Sequence, residues 1–178
     1  MRSPRVEPGG LRQLGIVNFV LGRLLSRGAG VCEAHLFTTL GRNRRLYRMW
    51  LAYSGALMLA GRLPRRETEL VILRVAHRCG SEYEWRHHVR LGARAGLRRD
   101  EIERVRDGSL DAWKPADEVL LTATDRLLAD DDIDEAAWRR LRSFWDERQA
   151  IELCLLVGQY RGLAATIRAL GIAPDRPR

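Results

Sequence analysis

Lysine is almost missing from this chain: Lys114 stands alone against 30 arginines. A ratio that lopsided has the character of GC-rich coding rather than of selection for phosphate contacts. The arginines are also spread over nearly every predicted helix instead of forming one stripe, so the net charge of +8 does not lead us to expect a nucleic-acid partner. Paired cysteines are missing too. Cys32, Cys79 and Cys154 are far apart and no Cys-x-x-Cys occurs, which excludes a disulfide framework and points to buried free thiols in a reducing, cytoplasmic setting. Six prolines sit at the ends and at helix boundaries, and no run alternates Val, Ile and Thr in strand fashion. Long apolar runs are lacking as well: Leu14 to Leu25 is interrupted by Arg23, too short for a span and a poor secretory signal, so no membrane association is expected.

What remains is helical periodicity at ordinary globular composition, with 46% hydrophobic and 30% charged residues. The fold class expected is all-α. Residues 1–10 read as a flexible tail, and 11–172 as a single helical domain. Leu14, Val17, Leu21, Leu24 and Leu25 form a helical stripe, and a short helix is expected over Cys32 to Leu40. A longer helix covers Arg44 to Leu59, ended by Gly61 and Pro64. Arg65 to Arg78 carries Leu70, Val71, Ile72, Leu73, Val75 and Ala76, too broad an apolar face for a surface helix, so it should be nearly enclosed. Gly80 breaks it, Ser81 opens the next helix, and Gly96 follows that helix at about Ala95. Helices are further expected at Arg99 to Asp107, at Ala116 to Ala129, after a cap at Asp134, and over Glu147 to Leu170. Gly158 and Gly162 inside the last cost helix propensity, which suggests a close helix contact there.

One constellation carries chemistry. Ser81, Glu84 and His88, at offsets of three and seven, share one face of the Ser81 helix, and the i, i+4 spacing lets Glu84 orient the His88 imidazole. The start of that helix offers unpaired N–H groups to an anionic group or a developing enolate. Glu69 lies on the apolar face of the preceding helix with Ile72, Leu73 and Ala76, where a carboxylate should be buried and suited to carry a proton. A plainer reading stands beside this one: Ser81-x-x-Glu84 is also the pattern of a capping box, and the histidines fit a packed core or an interface. His35 and His77 are isolated. Adjacent His87 and His88 point about 100° apart on a helix, so no metal site is expected. Trp50, Tyr53, Trp85 and Tyr160 read as core or interface aromatics that could also line a pocket.

The stretch LPRRETELVILRVAHRCGSEYEWRHHVRLGARAGLRRDEIERV, residues 63–105, resembles the signature core of the carboxymuconolactone decarboxylase/alkylhydroperoxidase D-like superfamily. In the peroxidase-like branch a helical glutamate precedes a Cys-x-x-Cys at the next helix start, with a histidine four residues after the second cysteine. Here those positions hold Glu69, Ser81, Glu84 and His88, with Tyr83 between the two former cysteine positions, and Cys79 lies two residues too early to replace either. Disulfide-based peroxide reduction needs a thiolate and a resolving partner, and this chain offers neither in place. The decarboxylase branch also lacks the pair, and its Glu-x-x-x-His-Val-Arg segment is similar to Glu84 through Arg90.

The resemblance implies an all-α helical bundle that assembles as a homo-oligomer, a dimer, trimer or hexamer. It also implies cofactor-independent proton-transfer chemistry, decarboxylation or isomerisation, on a small carboxylated or lactone-type substrate. His88 would move the proton, with Glu84 and Glu69 as its catalytic partners. Ser81, Tyr83, Arg86 and Arg90 would bind substrate, the arginines neutralising an acid group. The alternatives are a non-catalytic oligomeric scaffold of the same fold, or a residual peroxidase-like oxidoreductase.

Overall fold

The computed structural model describes residues 3–28 and 30–175, so the first two residues of the expected tail lie outside the described residues. Among these the helices run α1 (Leu11–Gly28), α2 (His35–Leu40), α3 (Arg44–Leu59), α4 (Arg65–Arg78), α5 (Glu82–Arg94), α6 (Arg99–Asp107), α7 (Pro115–Ala129), α8 (Glu135–Arg142) and α9 (Glu147–Leu170), with no strand. Contacts divide the chain into two compact units, one from Met1–Ala56 with Ala165–Arg178, the other Leu57–Ala164.

The Leu57–Ala164 unit is organised around α4, which packs against α5, α6 and α7. Its broad apolar face is enclosed as the composition requires: Leu70, Val71, Ile72, Leu73 and Val75 are fully buried. Each such side chain contributes about 2 kcal/mol of transfer free energy. Val71, Ile72 and Val75 pack with Val119, Leu120, Leu153 and Leu156, while Leu70, Leu73 and Ala76 pack with Trp85, Leu97, Val105 and Leu121. Gly80, at φ 62°, makes the tight turn into α5, and Ser81 N–H donates back to Ala76 O at 2.8 Å. Gly92 lets α5 approach closely: a Cβ there would meet Leu97 Cδ1 at 2.9 Å and Leu73 Cδ1 at 3.4 Å.

Arg74 is the one charged residue fully enclosed on α4 beside Glu69, and each of its three nitrogens donates. It bonds Asp125 through Nε at 2.8 Å and Nη2 at 2.6 Å, and donates to the carbonyls of Val105 (3.1 Å) and Gly108 (3.0 Å). A buried guanidinium satisfied in this way ties α4 to α7 and to the end of α6. The approach to α4 is fixed by Glu152 of α9, whose Oε2 accepts from the N–H groups of Arg62 and Leu63. Asp134 caps α8 as expected, accepting from the N–H groups of Ala136 and Ala137 at 3.0 Å each.

In the other unit α1 turns a different face inward from the one its apolar spacing suggests. Leu14, Asn18, Gly22 and Ser26 are buried, whereas Val17 and Leu24 are exposed along with Ile16 and Val20. Backbone hydrogen bonding explains the inversion. Asn18 Nδ2 donates to Gly41 O and Arg44 O, and Ser26 Oγ donates to Gly22 O at 2.7 Å while accepting from Ala34 N–H. Gly15, with φ 73° and ψ 165°, interrupts the helix near its start. Residues 3–10 run along this unit, Arg5 N–H donating to Leu170 O and Gly9 N–H to Thr38 O.

Two further expectations need correcting. Gly158 and Gly162 mark no close helix contact within the fold, since both are exposed and a Cβ at either would meet nothing within 4 Å. The thiols are not deeply buried: Cys32 is exposed, and Cys79 and Cys154 are half-buried.

Candidate functional site

The expected face of α5 forms. Ser81, Glu84 and His88 are all buried, with Glu84 only 3% exposed. The capping box does not form. Ser81 is the N-cap residue, but its hydroxyl accepts from no helix N–H, its own N–H is used by Ala76 O, and neither Glu84 oxygen has an aligned hydrogen bond. The plainer reading of Ser81-x-x-Glu84 therefore fails, and Glu84 is left as a buried carboxyl that the helix start does not use.

His88 is oriented by Glu69 rather than by Glu84. Its Nδ1 lies 2.7 Å from Glu69 Oε2, across the α4–α5 contact, and Glu69 is fully buried. The other Glu69 oxygen forms an ion pair with Arg65 Nη2 at 2.5 Å, one helical turn earlier on α4, without hydrogen-bond alignment. In the tautomer protonated on Nδ1, His88 donates to Glu69 Oε2, and Arg65 supplies a positive charge beside the pair. A neutral ring then carries its lone pair on Nε2, the atom suited to act as base.

Two residues that spacing did not single out complete the group. The ring of Tyr160 of α9 meets that of His88 at right angles, with centroids 5.1 Å apart and planes at 86°, and its hydroxyl donates to Met58 Sδ at 3.1 Å. Burial, then the negative charge of Glu69 and Glu84, pushes the Tyr160 hydroxyl far above its ordinary range, so it stays a neutral donor. Arg65 was legible as an i, i−4 partner of Glu69. Tyr160 had no local signal, being distant in sequence and resembling any other core aromatic.

The acidity of Glu84 is strongly perturbed. Burial pushes it up to about 7, offset only in part by the nearby Ser81 hydroxyl. Near neutrality it is therefore divided between acid and carboxylate, the poise a proton-donating group needs. The remaining expected residues lie elsewhere. Tyr83 is buried against His87, rings 4.9 Å apart. Arg86 and Arg90 are exposed, and Arg90 Nη2 sits 3.1 Å from His87 Nδ1, so the cation that meets the buried Glu69 is Arg65.

Comparison with known proteins bears on the fold that carries these residues. Residues 44–126 match the model of the carboxymuconolactone decarboxylase family. No curated protein matches the sequence significantly. The fold is similar to an alkylhydroperoxidase AhpD core, an uncharacterized peroxidase-related protein from Ralstonia eutropha JMP134, at TM-score 0.85 and 18% identity over 98% of this chain and 93% of that one. An uncharacterized peroxidase-related protein from Silicibacter sp. TM1040 gives TM-score 0.81 and 16% identity over 98% and 95%. The debrominase Bmp8, as a cysteine-to-alanine variant in complex with 2,3,4-tribromopyrrole, gives TM-score 0.78 and 15% identity over 94% and 90%.

Proposed function

We propose that this chain, whose residues 44–126 match the carboxymuconolactone decarboxylase family model, catalyses cofactor-independent proton transfer, decarboxylation or isomerisation, on a small carboxylated or lactone-type carbonyl compound. The observation that carries this reading is the buried Glu69–His88 contact at 2.7 Å beside a carboxyl held near neutrality at Glu84. In this reading His88 takes or returns the proton at carbon, and Glu69 holds the ring in place and stabilises the imidazolium. Glu84 and Ser81 donate to the oxygen on which negative charge develops. A debrominase among the structural neighbours is consistent with chemistry on a small ring, but the positions of the peroxidase-like cysteine pair are Ser81 and Glu84 here, which removes the dithiol route.

The test is solvent deuterium incorporation. In D2O, wild-type protein should accelerate exchange α to the carbonyl in at least one member of a panel of β-keto acids and unsaturated lactones, read by proton NMR. Exchange no faster than in buffer across the panel would leave the scaffold reading in its place.

Assembly is part of the same proposal. Ile151, Leu155, Gly158 and Gly162 share an exposed face of α9, at spacings of four, three and four. Although α9 is long and apolar enough to cross a bilayer by length and composition, half of that stretch is buried within the fold. We propose that a second copy covers the exposed face, as apolar side chains beside glycines permit close helix contact. Light scattering at micromolar concentration should give a multiple of 20.4 kDa. Ile151→Glu should shift the mass toward the monomer, and a wild-type monomer would contradict the proposal.

A further inference from the structure

We infer that the site takes an uncharged carbonyl compound, its carbonyl oxygen held by the Glu84 and Ser81 hydroxyls, and discriminates against a carboxylate. This rests on the proton-transfer reading above and narrows its substrate: the reaction becomes isomerisation rather than decarboxylation.

The argument is one of charge. Two buried carboxyls, Glu69 and Glu84, occur with one cation in contact, and that cation is committed. Arg65 pairs with Glu69 through Nη2 at 2.5 Å and donates to Met58 O through Nη1 at 2.7 Å. The acidity of Glu84 is set by burial and by Ser81, with no cation contributing. Arg86 and Arg90, which an acid substrate would need, are exposed, Arg90 against His87. The negative charge of Glu69 and Glu84 is felt as far as Tyr160, whose ionisation it opposes. A carboxylate arriving here would be desolvated beside like charge with no unpaired cation to meet it. A neutral carbonyl oxygen suits what is left over. Ser81 Oγ and both Glu84 oxygens are buried without an aligned partner, so the hydroxyl and the protonated carboxyl each have a hydrogen bond to donate.

The step balances without any co-reactant. His88 Nε2 removes a proton from the carbon between the carbonyl and a double bond, and the electron pair moves onto the carbonyl oxygen. Glu84 and Ser81 hold that oxygen by hydrogen bonds, and the imidazolium returns the same proton to the far end of the former double bond. The product is the conjugated isomer. The titratable and charged groups gathered at this site are Arg65 and Glu69 from α4, Glu84 and His88 on α5 and Tyr160 from α9. The pH experiment therefore needs a control lacking the Glu84 carboxyl.

The probes are a matched pair of β,γ-unsaturated butenolides, one bearing a methyl group and the other a carboxymethyl group. Binding is followed by ligand-observed NMR, and isomerisation by the absorbance of the conjugated product. The methyl butenolide should bind at least about tenfold more tightly than the carboxymethyl one near pH 8. Its affinity should fall about tenfold between pH 6 and pH 8, as Glu84 loses its proton around 7. In Glu84→Gln, whose amide still donates but carries no charge, that fall should flatten and the preference against the carboxymethyl probe should shrink. If the variant does not fold, the wild-type pair and pH series carry the test.

Equal or tighter binding of the carboxymethyl probe would overturn the inference. So would affinity for the methyl probe that rises with pH. The two readings fail separately. Preferential binding of the methyl probe without isomerisation or deuterium exchange supports the charge preference and removes the proton-transfer reading. Isomerisation of both probes with equal efficiency removes the charge preference and leaves proton transfer in place.

Discussion

His88→Ala is expected to lower turnover by about 10² to 10⁴ while leaving the helical circular dichroism spectrum unchanged. The size follows from the role: a general base positioned in the transition state contributes that range, and no other described residue is placed to supply the lost lone pair. Tyr160 has its ring perpendicular to that of His88 and a hydroxyl committed to Met58 Sδ, and Glu69 is engaged by the imidazole and by Arg65. The fold should survive because the large apolar contribution of α5 comes from Trp85, packed with Leu70, Leu73 and Ala76, rather than from His88. Glu69→Gln should lower turnover less, since an amide oxygen still accepts from Nδ1–H but does not stabilise the imidazolium. A turnover within about threefold of wild type in His88→Ala would remove His88 from the chemistry.

Glu84→Gln is expected to raise stability at alkaline pH, by about 3 kcal/mol at pH 8 and by little below pH 4. The sign follows from linkage. In the unfolded chain this carboxyl titrates near its ordinary value of 4.5, and in the folded protein burial raises it to about 7. Between those values the folded state holds more protons than the unfolded one, so the stability of wild-type protein falls as pH rises through that window. Above it the folded protein carries the full penalty of a desolvated carboxylate. The amide has no such penalty, and the difference between the two proteins in urea unfolding should therefore open between pH 4.5 and pH 7 and then level off. Stability curves that stay parallel across this range would show that Glu84 is solvated in the folded state. A buried group that costs stability at working pH is what a site selected for chemistry rather than packing presents.

Most of the helical architecture was legible because its punctuation is local. Pro64, Gly80, Gly96 and Pro115 fix where α4, α5 and α7 begin or end, and the run from Leu70 to Ala76 leaves α4 no polar face to expose, so that even Arg74 is buried with it. Which face of α1 turns inward was not legible. Apolar spacing favoured Val17, Leu21 and Leu24, but the buried row contains Asn18 and Ser26, whose value lies in backbone hydrogen bonds made to residues distant in sequence. The glycines of α9 suggested a close helix contact, and the solvent exposure of Gly158 and Gly162 shows instead that they lie on an outward face.

The site divides along the same line. Spacing along one helix placed Ser81, Glu84 and His88 on a common face, and the likeness to the family placed Glu69 near them. Helical spacing reports neighbours on the same helix, so it favoured Glu84 as the partner of His88. The contact between helices, Glu69 to His88, is made possible by Gly92, which draws α5 close to α4 at the level of Glu69 and Leu73. Tyr160 arrives from α9 and was invisible to any rule based on spacing. Arg86 and Arg90 attracted attention as cations beside the histidine, but on a helix they project away from the face that Glu84 and His88 share.

The central claim is that Glu69 holds His88 with its lone pair on Nε2. Nitrogen-15 NMR on protein labelled at its four histidines, assigned by single substitution, reads this directly. At a pH where the ring is neutral, His88 should show a protonated Nδ1 and an unprotonated Nε2, and Glu69→Gln should weaken that preference. A protonated Nε2, with Nδ1 accepting from a protonated Glu69, would contradict the account, because the nitrogen assigned to take the proton from carbon would have no lone pair to take it with.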